Sequence, residues 1–454
     1  MRIFSRLLAL LIFTLFTPSI SAHADTTVPL TFSFQGAGYG HGVGLSQYGA
    51  RGQALEGKNA IDILRYYYHF VTVEPMVDNQ MMRVNIGHTL SSFSIKNASR
   101  LGQIQIFEGD IKDATPAQPL RTVPLKANVS FTVLGNLAFP SVTSSTGQVD
   151  PLPSGKIWTI RWSGTRYLPG DPAVVSATAA GSSTLYRYGQ IQVKLVKAAV
   201  LGYRLEVTNT IRLHDEYLWG IGEMPSSWPS AALQAQAIAS RTYALNKGAT
   251  IRTACDCNIY SISQDQAFVG YAKETEAKYG PLWKEAVNST STDDSTGLTI
   301  LYGSTPISAY FSSSSGGITE SAQNVWGTAV PYAIAVPDPW SLDPKINSKY
   351  ASWLRPISQS VIASAFGLSG VATLFVNSKD TSGRVATITA TSSLGKIAVL
   401  TGGSFASKAK LPSAWFDIVN QQVIIPVPSP TPSPTTSAAP SPLPTPMPSL
   451  RERS

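Results

Sequence analysis

A strand–turn–helix pattern between residues 205 and 246 constrains the fold of this 454-residue chain more than any other feature. Residues 205–213 alternate apolar and polar side chains, which is typical of a half-buried strand. Residues 227–246 follow helical spacing, and Gly248 is a typical helix end. The apolar positions of that helix form one predicted buried stripe, consisting of Ala231, Ala235, Ile238, Thr242 and Leu245.

Glu223 lies in the turn between this strand and this helix, and it is the leading candidate for a catalytic acid. Three apolar residues flank it, namely Trp219, Met224 and Trp228. Apolar surroundings remove water from a carboxyl group, which raises its pKa and keeps the proton that an acid catalyst donates. The structural alternative is a carboxylate that accepts backbone N–H groups at the start of the helix. Gln234 and Arg241 share another helix face and are predicted to point together into the site.

Glycine occupies every second position from Gly36 to Gly44. In an extended strand these five glycines would share one face, so that another backbone or a flat ligand could approach it. The spacing differs from the G-x-G-x-x-G of dinucleotide-binding loops. His41 stands between two of the glycines and is predicted to contact or orient a substrate. Residues 46–56 and 60–70 are then predicted to form two short helices, the second capped by Asn59.

Both ends of the chain have compositions that differ from the rest. Residues 1–24 have the pattern of a secretory signal peptide, with two arginines, a short apolar run and an A-x-A-like cleavage site. No later run is long and apolar enough to span a bilayer. From Pro426 onward the chain is rich in Pro, Ser and Thr, so residues 426–454 are predicted to be an extended linker or stalk. We therefore expect a secreted, cell-wall-associated protein with no membrane span after cleavage.

The net charge of +8 favours an anionic partner. Nucleic acid is one such polymer, but the basic residues are scattered and the chain carries an export pattern, so nucleic acid is not predicted. An anionic cell wall fits better.

Cys255 and Cys257 are the only cysteines of the chain. Two thiolates on one turn would supply half of a zinc site, but no histidine lies nearby in sequence to complete it. A disulfide across a single residue is strained. Zinc binding, a disulfide and free thiols all remain as interpretations, and no other cofactor is predicted.

Together these patterns predict an α+β fold with a β-rich portion. Residues 25–79 carry the glycine–histidine block and the two helices, and residues 80–213 are β-rich with no catalytic cluster. Residues 214–425 are predicted to be the catalytic core. Within it, residues 300–311 have the pattern of a hairpin, and residues 312–317 have the small polar composition of a ligand-facing loop.

Four blocks of the chain resemble the stage II sporulation protein D (SpoIID) family, which includes amidase enhancers. The longest covers residues 215–245, and the others cover residues 40–50, 310–320 and 382–385. The resemblance implies a two-lobed, mixed α/β catalytic region. In sporulation members the glycine–histidine block lies near the C-terminus, whereas here it comes first, which indicates a circular permutation. Some relatives bind zinc near the segment of Cys255, but Asn258 stands where a histidine would help.

The resemblance also implies a function. Sporulation members are lytic transglycosylases that cut the glycan strands of peptidoglycan, and Glu223 occupies the position of their catalytic glutamate. Seven further residues fall in matching blocks and are expected in or beside the substrate cleft: His41, Gln47, Arg241, Tyr243, Tyr310, Gly316 and Gly317. The same family includes proteins that stimulate a cell-wall amidase, so a glycan-binding modifier without catalysis is the alternative. Asp215 and Glu216 are predicted to be structural.

Overall fold

The computed structural model describes residues 28–113 and 117–419. It is a mixed structure in which strands outnumber helices, and it confirms the predicted α+β class. The predicted signal peptide (residues 1–24) and the predicted stalk (residues 426–454) lie outside the described residues. Within those described ranges, none of the helices has both the length and the hydropathy needed to cross a bilayer.

The first part of the chain forms two helices and three short strands. These are β1 (Thr31–Gly36), β2 (Leu45–Ser46), α1 (Gln47–Leu55), α2 (Ala60–Tyr67) and β3 (Thr72–Val77). The side chain of Ser46 caps α1 by accepting the N–H of Gly49, and Asn59 caps α2 by accepting the N–H of Asp62. Both predicted helices are confirmed, although α2 ends at Tyr67, before the predicted end at Phe70.

The prediction of one extended strand over Gly36 to Gly44 is wrong. Gly38, Gly40, Gly42 and Gly44 have φ angles of 80°, 96°, 80° and 72°. Glycine adopts this left-handed conformation without steric cost, so the alternation turns the backbone repeatedly and does not create a bare strand face. The expected close approach of another backbone is confirmed, since a Cβ added to Gly44 would lie 2.1 Å from the carbonyl oxygen of Tyr310.

We expect Gly44→Ala to lower the free energy of unfolding by about 2–4 kcal/mol, because it combines a left-handed alanine with a backbone clash. Gly57→Ala is the matched control, since Gly57 has a φ of 88° and a Cβ there would meet nothing within 4 Å. That control should lose only about 1–2 kcal/mol. Urea unfolding of both variants measures the difference, and equal losses would contradict the close packing of this loop.

The middle of the chain is β-rich, as predicted. Its strands are β4 (Met81–Leu90), β5 (Ser92–Asn97), β6 (Ile104–Glu108), β7 (Arg121–Val123), β8 (Asn128–Leu134), β9 (Leu137–Thr143), β10 (Val149–Pro151), β11 (Ile157–Trp162), β12 (Val175–Ala179), β13 (Ser182–Tyr186), β14 (Gln190–Ala198) and β15 (Gly202–Arg212). One sheet has the order β10-β9-β8-β5-β12-β13, and the other has the order β4-β15-β14-β11-β6-β7. Phe131 of the first sheet and Trp158 of the second pack with ring centroids 5.3 Å apart, so both sheets share one core.

The remaining elements follow a π-helical turn (Leu213–Tyr217) that ends β15. They are α3 (Ser230–Lys247), β16 (Ile259–Tyr260), α4 (Gly280–Asn288), β17 (Ser291–Asp293), β18 (Thr296–Tyr302), β19 (Thr305–Pro306), β20 (Phe311–Ser312), α5 (Ala322–Trp326), β21 (Trp353–Ser358), α6 (Gln359–Phe366), β22 (Thr373–Lys379), β23 (Val385–Thr391), β24 (Ile397–Thr401), α7 (Gly402–Ala409) and β25 (Phe416–Val419), with 3₁₀ turns at Gly270–Ala272, Ala277–Tyr279 and Pro339–Leu342. Leu301 pairs with Pro306, which confirms the predicted hairpin. Strand β16 joins the second sheet in parallel to β4.

Helix α3 is confirmed, but its single buried stripe is wrong. Every residue from Ala235 to Ala244 is buried, because α1, α2, α4 and β18 all pack around this helix. Gln234 is half-buried and donates to the hydroxyl of Ser289, while Arg241 is completely buried. The two side chains therefore do not point into one site.

The two largest hydrophobic clusters form most of the interior of the described residues. The first extends from residue 45 to residue 336 and includes the β-rich sheets and α3. The second joins Phe32 and Phe34 of β1 to residues 353–416. Strand β1 lies between β21 and β25, antiparallel to both, so the start of the described chain belongs with its end.

Candidate active site

Glu223 lies on a short extended segment that runs beside residues 267–269. The N–H of Gly222 donates to the carbonyl of Ala267 at 2.8 Å, and the N–H of Val269 donates to the carbonyl of Gly220 at 2.8 Å. The N–H of Ala267 donates to Oε1 of Glu223 at 2.6 Å. This donor belongs to a neighbouring segment and not to the start of α3, so the helix-start interpretation of Glu223 is wrong.

The carboxyl group of Glu223 is half-buried. Burial raises its pKa above the usual range of a glutamate, and the hydrogen bond from Ala267 lowers the pKa in part. Burial, and after it the charge of Glu223, raises the pKa of Tyr217, so this phenol lies within electrostatic reach of the carboxylate. The predicted direction of the Glu223 pKa shift is therefore confirmed.

The apolar flanks of Glu223 differ from the prediction. Met224 is buried beside it. The indole N–H of Trp219 donates to Asn288 at 2.9 Å, and the ring of Trp228 packs on Tyr48 with centroids 4.9 Å apart. The two tryptophans therefore pack with partners on other elements.

A buried lysine holds the loop that carries Glu223. Nζ of Lys273 donates to the carbonyl of Met224 at 2.6 Å and to Glu276 at 2.9 Å. The hydroxyl of Ser226 donates to the same carboxylate at 2.6 Å. Lys273 and Glu276 thus fix the turn on both sides of the proline that follows Met224. The sequence gives no signal for this role, because an i,i+3 Lys–Glu pair in a polar stretch is not distinctive.

A polar network lies on the other side of Glu223. The hydroxyl of Tyr217 donates to Gln266 at 2.7 Å, and the hydroxyl of Tyr243 donates to Asp265 at 2.9 Å. Asp265 is also paired with Arg252 at 2.7 Å. Tyr243, a predicted site residue, therefore lies close to the segment that hydrogen-bonds to Glu223.

His41 and Tyr310 form a ring cluster with Trp326, which the sequence analysis did not identify. The ring of Trp326 lies 5.2 Å from that of His41 and 4.5 Å from that of Tyr310. Nδ1 of His41 accepts the N–H of Val43 at 2.9 Å. Burial, and after it the charge of Arg384, lowers the pKa of His41 to about 4, so this imidazole is neutral near pH 7.

Arg241 was expected beside the substrate, but the structure places it inside the fold. Its Nε donates to Oδ2 of Asp78 at 2.6 Å, and Nδ1 of His214 lies 2.6 Å from Oδ1 of the same carboxylate. The side chains of Arg241 and Asp78 are both 0% exposed. In this structure the Arg241 guanidinium cannot reach a bound glycan, and it connects α3 to the end of β3.

Three other predicted residues support the loops around the site. Gln47 is buried and its amide donates to Gln236 of α3 at 3.1 Å. Gly316 and Gly317 have φ angles of 87° and 113°, and Gly316 packs against the backbone of Ala37. Gly316 and Gly317 therefore mainly help to position residues 36–44, which we call the glycine loop.

Cys255 and Cys257 are joined by a disulfide. Neither sulfur is a thiolate in this structure, so of the three interpretations of this pair the structure has the disulfide, and the zinc interpretation does not fit. The predicted structural roles of two acids are confirmed, since Asp215 accepts from Arg212 at 2.8 Å and Glu216 accepts from Arg166 at 2.9 Å.

Comparison with known proteins connects this geometry to a family. The family model of the stage II sporulation protein matches residues 202–293. The amidase enhancer of Bacillus subtilis (strain 168) is 31% identical over 177 residues, which cover 35% of this chain and 22% of that protein. Stage II sporulation protein D of the same organism is 33% identical over 138 residues, which cover 28% of this chain and 38% of that protein.

A further relative is stage II sporulation protein D of Bacillus amyloliquefaciens, which is 30% identical over 134 residues. The match spans less than two-fifths of the length of each of these relatives. No solved structure matches this chain. The matched segment begins with β15, contains Glu223 and α3, and ends with β17. Residues 202–293 therefore carry a domain of the stage II sporulation protein D family.

Proposed function

We propose that this protein is a lytic transglycosylase that cuts the glycan strands of peptidoglycan, with Glu223 as its acid. The observation that carries the proposal is the half-buried Glu223 carboxyl group, whose pKa is raised by burial and which accepts a backbone hydrogen bond from Ala267. A carboxyl group in this state is protonated at a higher pH than an ordinary glutamate, as a general acid requires.

In the proposed mechanism, Glu223 donates its proton to the glycosidic oxygen as the bond to the anomeric carbon breaks. The 6-hydroxyl of the same sugar attacks that carbon, and the Glu223 carboxylate takes the hydroxyl proton. The products are a shortened strand and a 1,6-anhydro sugar end, and the acid is regenerated. Water takes no part in this step.

One carboxyl group is sufficient for this reaction, whereas glycoside hydrolysis generally uses a pair of carboxyl groups. Three acids close to Glu223 in the chain or in the polar network are each paired with an arginine, namely Asp215, Glu216 and Asp265, and Glu276 is paired with Lys273. This arrangement favours the single-acid reaction over hydrolysis.

Mass spectrometry of the products tests the proposal. Peptide-free glycan strands are incubated with the purified protein, and the soluble fragments are weighed. We expect fragments that are one water lighter than the corresponding hydrolysis products. Fragments with the hydrolytic mass, or intact strands, would contradict the proposal.

The second candidate function is a glycan-binding modifier that stimulates a cell-wall amidase. The 31% identity to a protein named amidase enhancer favours it. Release of stem peptides by a purified amidase is measured with and without this protein. Stimulation that persists in Glu223→Gln, together with strands that stay intact, would establish the modifier.

The pH dependence of cleavage follows from the Glu223 pKa. Because the protonated form acts and burial raises the pKa, cleavage should be retained above the usual glutamate pKa and should fall as the pH rises through the raised value. The dependence of kcat/KM on pH reports this pKa for the free protein. A loss of activity centred at the ordinary glutamate value of about 4.3 would contradict the assignment.

Three further proposals concern the setting of the protein. It is secreted and acts at the cell wall, since residues 1–24 have the export pattern and the net charge of +8 suits an anionic polymer. The two hydrophobic cores are two lobes of the catalytic region, and the glycine–histidine block is permuted to the front of the chain. Detection of the protein in wall or culture fractions tests the location.

A further inference from the structure

Four aromatic side chains form a row that ends at the loop of Glu223. Tyr39 packs against Tyr350 with centroids 4.5 Å apart, Tyr350 lies 6.3 Å from Tyr48, and Tyr48 lies 4.9 Å from Trp228. We call these residues the aromatic row. They come from the glycine loop, the segment before β21, helix α1 and the turn before α3.

The row lies at the surface and is not part of either hydrophobic core. Tyr39 is 46% exposed, and the other three side chains are half-buried. Only Trp228 contacts a core, at the edge of the first cluster. Among residues 28–113 and 117–419, no hydrogen bond is formed by the three tyrosine hydroxyls or by the indole N–H of Trp228. Each ring therefore offers an apolar face together with a free polar group.

Backbone hydrogen bonds hold the row in place without a ligand. The N–H of Tyr39 donates to Ser314 at 2.9 Å, and the N–H of Tyr48 donates to Ser313 at 3.0 Å. The N–H of Tyr350 donates to Asn347 at 2.9 Å, while its carbonyl accepts the N–H of Gly38 at 2.8 Å. A surface that is ordered in advance loses little conformational entropy on binding.

The row is continuous with the candidate active site. The N–H of Trp228 donates to the carbonyl of Pro225 at 3.1 Å, in the turn that also carries Glu223. A sugar ring has apolar C–H faces and a rim of hydroxyls, which matches aromatic rings with free polar tips. The spacing of neighbouring rings is comparable with the length of one sugar unit.

We propose that the aromatic row binds a stretch of glycan strand outside the cleavage site and guides the strand to Glu223. This inference rests on the proposed action on peptidoglycan, but it requires only binding and not cleavage. It assigns substrate binding to Tyr39, Tyr48, Tyr350 and Trp228, of which only Trp228 lies in the segment matched by the family model.

Arg51 gives the row a preference for acidic strands. Its guanidinium lies 5.4 Å from the ring centroid of Trp228 and donates to the carbonyl of Ile346. No carboxylate of the described residues forms an ion pair with it. Peptide-free peptidoglycan strands carry a carboxylate on every muramic acid, whereas chitin oligomers carry none.

Binding is measured in the Glu223→Gln background, so that strands stay intact. We expect the double variant Tyr39→Ala/Tyr350→Ala to weaken the binding of peptide-free peptidoglycan strands roughly 30-fold. The matched control is Tyr302→Ala, which removes another exposed tyrosine (44%) that packs against a tyrosine, and it should bind normally. Arg51→Gln should weaken binding to these strands at low salt and leave chitin oligomers unaffected.

A variant that keeps the aromatic rings serves as a control for misfolding of the alanine variant. The triple variant Tyr39→Phe/Tyr48→Phe/Tyr350→Phe removes only hydroxyls that have no hydrogen-bond partner within residues 28–113 and 117–419. The fold should therefore be intact and strand binding about threefold weaker. Unchanged affinity in both the alanine and the phenylalanine variants would overturn the proposal. Loss of amidase stimulation with unchanged strand affinity would also overturn it, since the row would then bind a protein. The parent protein tests the two proposals separately. If it binds strands through the aromatic row but never cleaves them, glycan binding by the row is supported and the proposed lytic activity is refuted.

Discussion

Glu223→Gln is expected to lower the rate of strand cleavage by about 10³-fold or more while the protein still binds strands. Glutamine has nearly the same shape, and its amide oxygen still accepts the N–H of Ala267. It has no acidic proton to donate to the glycosidic oxygen. Cleavage is measured as the appearance of 1,6-anhydro ends, and binding as the retention of the protein on insoluble strands.

The stability of Glu223→Gln shows whether a loss of cleavage comes from the missing acid or from misfolding. Burial raises the Glu223 pKa, so folding disfavours the ionised carboxylate, and the neutral amide should leave the protein at least as stable. Glu285→Gln, at an exposed position of α4 in the same matched segment, is the control and should cleave normally. Cleavage by Glu223→Gln within tenfold of the parent rate would refute Glu223 as the acid.

Arg241→Met is expected to lower the free energy of unfolding by about 3–5 kcal/mol, because it leaves the buried carboxylate of Asp78 without its guanidinium partner. His214, whose Nδ1 lies 2.6 Å from Oδ1 of Asp78, would be the remaining side-chain partner of that carboxylate. Urea unfolding followed by circular dichroism measures the loss. The size of the effect comes from the uncompensated charge, since methionine replaces most of the apolar volume.

A double variant tests this explanation. Asp78→Leu/Arg241→Met removes both charges and should recover a large part of the lost stability. If Arg241→Met instead had normal stability but lost strand binding, the side chain would have to leave Asp78 and contact the substrate. The substrate role expected from the family resemblance would then be correct.

Local signals in the sequence predicted helices α1, α2 and α3 and the candidate acid. Ser46 and Asn59 cap α1 and α2 because a short polar side chain reaches the free N–H groups of a first turn, and this depends only on residues three apart. Glu223 stood out because it follows a strand and precedes a helix. Both inferences needed a window of a few residues.

Features that depend on distant partners were not predictable in this way. Asp78 and Arg241 are 163 residues apart in the chain, and no local sequence pattern at either residue predicts their ion pair. Helix α3 was assigned one buried face, but four elements surround it, and their arrangement is a property of the whole fold.

The glycine block shows a different limit. Glycine at every second position fits both an extended strand with one bare face and a loop in which alternate residues are left-handed. The choice is set by the backbone that packs against the block, here at Tyr310 and Ser314. Because glycine has no side chain to reveal which conformation it adopts, the alternation by itself favours neither.

The position of β1 in the sheet determines when this part of the protein can fold. Both neighbours of this strand, β21 and β25, lie more than three hundred residues later, while the β-rich sheets are built mainly from residues close together in the chain. Pairing between strands that are far apart in the chain is slow. During synthesis and folding, β1 therefore remains unpaired until β21 and β25 have been synthesised. The glycine loop and His41 follow β1 directly, and they become fixed only at that final step. The protein is therefore expected to acquire its complete site late, after β21 and β25 have been synthesised.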